Sequence, residues 1–153
     1  MRLTTMTDYA LRMLMYVAQH PDRLCTIAEV ASAHAISETH LMKVTQVLGQ
    51  RGWLETVRGK GGGIRLGRAP ADINVGAVVR DVEPDFYLVE CMGVDDHCRL
   101  SRGCRLTGVI NGALESFLDH LDGYTLADLL PVSPGQAVAV ALPSPTTRRG
   151  LRR

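Results

Sequence analysis

Cys91, Cys98 and Cys104 form the run Cys-x6-Cys-x5-Cys, and their thiolates are the part of this chain best suited to hold a metal. Thiolates converging on one loop are soft ligands for zinc or for an iron–sulfur cluster. The same residues can also form disulfides, so spacing alone leaves both chemistries open. His97 stands next to Cys98 and could complete a Cys3His zinc site. Its neighbours Asp95 and Asp96 are polar, which equally suits a solvated loop histidine. Cys25 lies far upstream and reads as a small core residue. Glu83, Asp85 and Glu90 flank the loop as exposed acids or as outer partners of the thiolates.

Composition narrows the setting. With 153 residues, 46% of them apolar and 5% aromatic, the chain can bury a core built from small helices. No run of about 18 apolar residues is present to span a membrane. The opening Met1-Arg2-Leu3-Thr4-Thr5 lacks an apolar signal segment. A cytoplasmic location is therefore expected, where thiols stay reduced and clustered cysteines bind metal or carry redox chemistry. Residues 1–80 carry 10 Lys/Arg against 6 Asp/Glu, and residues 81–130 carry 3 against 10. A basic half beside an acidic half suits a protein that turns one face to phosphates. There is no nucleophile–base constellation or pair of carboxylates, so no enzyme is expected.

The loop needs elements to position it. Leu11, Leu14, Met15 and Ala18 give Asp8 to His20 a helical period, with Thr7 as the expected N-cap. Thr26-Ile27-Ala28-Glu29 is a capping box that opens a helix to about His34. Ser37 caps the next helix, Glu38 to about Gln50, across the short linker Ala35-Ile36. Two short helices and a tight turn make a helix-turn-helix, though any small helical hairpin shares this pattern. Trp53–Val57 and Ile64–Leu66 then alternate as half-buried strands around Arg58-Gly59-Lys60-Gly61-Gly62-Gly63. Four glycines in those six residues permit positive φ and a thin hairpin tip. Arg58 and Lys60 charge that tip, with Arg65 and Arg68 behind it. A phosphate-cradling loop would open directly into a helix, whereas this one leads into a strand. The hairpin therefore reads as a basic wing.

Asn74 caps a helix from Val75 to Val82, and residues 84–104 follow as a long loop whose length suggests function. Leu106, Val109, Ile110, Ala113, Leu114, Phe117, Leu118 and Leu121 then recur at threes and fours. Such a stripe either packs on its own domain or meets its twin in a dimer; its length and apolarity favour the dimer. Thr125 caps one further turn, Leu126 to Leu130, and from Pro131 the composition is that of a disordered tail. The expected architecture is mainly α with a small β-hairpin wing. It divides into a winged helix-turn-helix region (1–83), a cluster-binding loop (84–104), a dimerisation helix with its C-terminal turn (105–130) and the tail (131–153).

Three segments, taken with the cysteine loop, resemble the dimeric iron–sulfur winged-helix repressors. They are Thr5-Met6-Thr7-Asp8-Tyr9-Ala10-Leu11-Arg12, Ser37-Glu38-Thr39-His40-Leu41 and Val57-Arg58-Gly59-Lys60-Gly61-Gly62-Gly63. The resemblance covers roughly residues 1–130, and the combination is specific where each motif alone is not. Regulators of cluster biogenesis in this group have a shorter first cysteine interval and a ligand histidine at the position of Thr107, which cannot replace an imidazole at iron. The N-terminal block is instead similar to that of the nitric-oxide-sensing branch. That similarity implies a 4Fe–4S cluster held by Cys91, Cys98 and Cys104 with Asp8 of the partner subunit as fourth ligand. A 2Fe–2S cluster or zinc are the alternative occupants. Read from the residues alone, Asp8 is a helix N-terminal acid able to pair with Arg12.

The resemblance further implies a homodimer on a palindromic operator in double-stranded DNA, with nitric oxide as the signal. A related alternative keeps the fold and senses cluster supply, iron or redox state. Base contacts are expected from Ser37, Thr39, His40, Lys43 and Gln46 at the start of the recognition helix. Arg58, Gly59 and Lys60 are expected at the minor groove or phosphates. An iron–sulfur electron carrier would need neither the recognition helix nor the wing.

Overall fold

The computed structural model describes residues 2–93, 98 and 104–131. The expectations for Asp95, Asp96, His97 and the tail beyond residue 131 lie outside the described residues. Helix α1 spans Thr5–Ala18 and starts earlier than the sequence suggests. Thr4 is its cap, with its hydroxyl accepting the Thr7 N–H at 3.4 Å, and Thr7 itself is buried. Asp8 thereby falls in the first turn.

Helix α2 (Ile27–His34) forms behind the expected capping box: Glu29 N–H donates to the Thr26 hydroxyl at 3.2 Å, and Thr26 N–H to the Glu29 carboxylate at 2.6 Å. It ends at Ala35, a left-handed residue with φ of 53°. That one residue reverses the chain, and Ser37 immediately caps α3, Glu38–Gln50. The helix-turn-helix thus rests on two local caps and one turn residue.

Strands β1 (Leu54–Val57) and β2 (Gly63–Leu66) pair antiparallel, in the register Leu54↔Leu66 to Val57↔Gly63. The expected alternation fails on β1, where Leu54 is buried and Glu55 to Val57 are all exposed, but holds on β2, where Ile64 is buried, Arg65 exposed and Leu66 half-buried. The outer half of the hairpin projects beyond the core. Cys25 forms an isolated antiparallel bridge to Ile64, and a side chain at Gly63 would collide with the Cys25 carbonyl.

Helix α4 spans Val75–Val82 behind the Asn74 cap, and α5 spans Leu106–Asp122. The loop between them includes a 3₁₀ turn at Glu90–Met92 that sequence periodicity does not reveal. A further 3₁₀ turn, Leu126–Leu129, follows α5 and inserts Leu126 into the core. One hydrophobic cluster joins α1, α2, α3, the base of the wing and α4. Fully buried members such as Leu14, Leu41 and Leu48 each contribute about 1.5–3 kcal/mol relative to exposure.

Three polar residues near the end of α4 each hold a different element. Arg80 forms a two-pronged ion pair with Asp122 of α5 at 2.5 and 2.7 Å. Asp81 accepts the Trp53 indole N–H at 2.8 Å, and Glu83 accepts the Thr4 N–H at 2.5 Å. Helix α5 is otherwise sparsely covered: none of its residues is buried, and Leu106 and Val109 are 56% and 67% exposed.

Candidate functional site

Leu41, Val44, Thr45 and Leu48 fix α3 against the core, which turns the opposite side of the helix outward. Ser37, Thr39, His40, Lys43 and Gln46 are all exposed on that side. The Ser37 hydroxyl caps the helix and lies 2.9 Å from His40 Nδ1, so cap and imidazole form one polar end. The Tyr9 ring of α1 stands 6.3 Å from the His40 ring. Inside the core, the Thr45 hydroxyl bonds the Leu41 carbonyl at 2.8 Å and lies 3.5 Å from the Met13 sulfur. Helices α1 and α3 are therefore packed as one body beneath the exposed face.

Gly59 and Gly61 take φ of 98° and 78° at the wing tip, where L-residues would be strained. Arg58 and Lys60 extend from that tip into solvent. Arg65 and Arg68 are held back from the tip by partners of their own. Arg65 is paired across the strands with Glu55 at 2.7 Å, and the Arg68 guanidinium stacks over Trp53 at 4.4 Å. Neither arrangement was legible from the sequence, because cross-strand register and the approach of Arg68 to the indole are tertiary facts. The only sequence signal was the alternation that sets Glu55 and Arg65 on opposing strands.

Cys91, Cys98 and Cys104 are each partly exposed, and none is in a disulfide. Cys91 sits in the 3₁₀ turn and lines an open cleft of about 470 Å³ between the loop and α5, together with Tyr87, Met92, Thr107, Asn111 and Leu114. Its Sγ lies 3.1 Å from the Thr107 hydroxyl. Cys104 stands at the entry to α5, two residues before Leu106. Among the described residues, no three His, Cys, Asp or Glu side chains converge on one metal-sized point. Cys91 and Cys104 thus flank the start of α5, Cys91 through its contact with Thr107 and Cys104 by its place in the chain. Asp8 pairs with Arg12 of its own helix at 2.9 Å, with its side chain 46% exposed. Cys25, by contrast, is fully buried as expected, and burial raises its thiol pKa.

The comparisons with known proteins agree with this architecture. The model of the Rrf2 family, described as an iron-dependent transcriptional regulator, matches residues 3–131. The HTH-type transcriptional regulator NsrR of Bacillus licheniformis is 50% identical over 132 residues, covering 85% of this chain and 92% of its own. NsrR of Bacillus subtilis is likewise 50% identical over 132 residues, covering 90% of its length. Among solved structures, IscR from T. potens superposes with a TM-score of 0.68 at 26% identity, over 84% of this chain and 85% of that one. CymR of Staphylococcus aureus in its oxidised form shares the fold, with a TM-score of 0.69 at 19% identity, over 87% and 98% of the two chains. A helix-turn-helix with a glycine-rich wing, a long outer helix and a match over nearly all the described residues leave one assignment: this chain belongs to the Rrf2 family of transcriptional regulators.

Proposed function

We propose that the chain is a homodimeric repressor that binds a palindromic operator in the cytoplasm and releases it in response to nitric oxide. In this reading Cys91, Cys98 and Cys104 hold a 4Fe–4S cluster together with the partner subunit's Asp8. The observation that carries it is three partly exposed cysteines outside any disulfide, in a chain half identical to NsrR proteins. The donor set fits such a cluster: thiolates are soft ligands suited to iron–sulfur centres, and none is committed to a disulfide. When bound, the cluster supplies an iron whose hard carboxylate ligand is the easiest to displace by a diatomic molecule.

The chain's own residues then have distinct tasks. Asp8 is half-exposed beside Arg12, and in this reading it exchanges that surface pairing for the cluster of the other subunit. It sits one residue from Tyr9, which lies against His40, and on a helix packed on α3 through Met13 and Thr45. A pull or release at Asp8 therefore acts on the helix that carries Ser37, Thr39, His40, Lys43 and Gln46. Those side chains enter the major groove. Arg58 and Lys60, with Gly59 keeping the tip thin, meet the minor groove or phosphates. The apolar stripe of α5, left uncovered in one chain, packs on its twin.

The test is anaerobic purification of the chain with iron, sulfide and visible-absorption measurements, followed by nitric oxide. About four irons and four sulfides per chain are expected for a cluster of this type, bleached by nitric oxide together with loss of operator binding. Two irons per chain would instead indicate a 2Fe–2S cluster, and zinc would indicate a structural metal. Either result overturns the proposed sensor.

A further inference from the structure

We infer that Thr107 is a positioning residue that donates its hydroxyl hydrogen to the Cys91 sulfur and so sets the electronic character and lifetime of the bound cluster. This rests on the cluster reading above. The contact is 3.1 Å long, partly buried, and joins residues sixteen positions apart in the chain. A deprotonated, metal-bound Cys91 is an acceptor only, so in that state the hydrogen must come from threonine. Thr107 is on the first turn of α5, and of the two χ1 rotamers open to a helical threonine it takes one that brings its hydroxyl to Cys91.

The surroundings reinforce this polarity. The first turn of α5 has no side-chain cap and no acidic residue, and it begins two residues after Cys104. The positive end of its dipole therefore lies close to a second cysteine. Asn111 and Leu114 continue the Thr107 face one and two turns along, lining the same cleft as Cys91. A hydrogen bond to a ligand sulfur withdraws charge from it and favours the reduced cluster, which raises the reduction potential.

Thr107→Val and Thr107→Ser test this in the full chain loaded without oxygen. Valine keeps the branched shape and removes the donor; serine keeps the donor and removes a methyl. Thr107→Val is expected to shift the reduction potential to more negative values. It should also lose iron to a ferrous chelator about tenfold faster, the scale of one charge-assisted hydrogen bond. Thr107→Ser should match the wild type in potential and visible spectrum. Failure of Thr107→Val to hold a cluster at all, with Thr107→Ser loading normally, gives the same support. A Thr107→Val protein identical to wild type in both readouts overturns the inference, as does a Thr107→Ser protein that behaves like the valine variant. If the wild-type chain takes up no cluster, the function reading itself falls and the inference with it.

Discussion

Removing the free charge of the wing should change how duplex binding depends on salt, by an amount the structure fixes in advance. Four basic residues lie in or near the hairpin, but Arg65 is bound to Glu55 and Arg68 is stacked on Trp53. Arg58 and Lys60 stand exposed at the tip itself, where they can displace counterions from phosphates. Each cation that neutralises a phosphate contributes about 0.9 to the slope of log K against log salt, so the Arg58→Ala/Lys60→Ala double variant should lower the slope by up to ~1.8 per subunit and ~3.6 per dimer. Between 50 and 200 mM salt, a slope change of ~3.6 corresponds to about a hundredfold difference in how far affinity falls. Fluorescence anisotropy on a random-sequence duplex reads this directly and needs no operator. Arg65→Ala serves as the internal control and should leave the slope nearly unchanged. An unchanged slope in the double variant, or an equal drop in Arg65→Ala, would refute the assignment of the free charge to the tip.

Asp8→Ala should leave the dimer intact and weaken retention of the cluster, read as faster bleaching of its visible absorption; an unaltered cluster would remove Asp8 from the ligand set. Val109→Glu places a charge on an apolar α5 position that is 67% exposed. Sedimentation should then show monomers at concentrations where the wild type is dimeric, and an intact dimer would argue that the stripe has another use. In the cluster-free chain, thermal stability should fall in acid. Glu29 is held below its ordinary pKa chiefly by the Thr26 N–H, Asp122 by Arg80 and Asp128 by the Thr125 N–H. Carboxylates with depressed folded pKa values stabilise fully above their unfolded values, about 3.9 for Asp and 4.3 for Glu, and lose that contribution as the pH drops through the folded values. Melting temperatures that stay level from about pH 6 to about pH 3 would contradict these pairings.

Local chemistry made much of the fold legible. The Thr26–Glu29 box, the Ser37 cap and the Asn74 cap are each satisfied within four residues, so sequence suffices to place α2, α3 and α4. The start of α1 was misplaced because Thr4 and Thr7 are equally good caps by type, and only burial of Thr7 separates them. The thiolate loop was visible as a set of candidates, since three cysteines in one segment need no tertiary information. Its partners were not. Thr107 stands sixteen residues from Cys91, and as a hydroxyl residue in a helix it carries no signal of the contact. Glu83 likewise looked like an exposed acid, and its bond to the Thr4 N–H exists only because α4 ends beside the start of α1.

Trp53 is the single tryptophan of the chain, and it lies where the wing meets α4. Its N–H points at the Asp81 carboxylate while a guanidinium covers its ring. An indole between opposite charges has an emission wavelength set by their placement. The protein therefore contains an unlabelled optical gauge: any rearrangement that parts the hairpin from α4 changes its colour, whether caused by DNA, by loss of metal or by a second subunit.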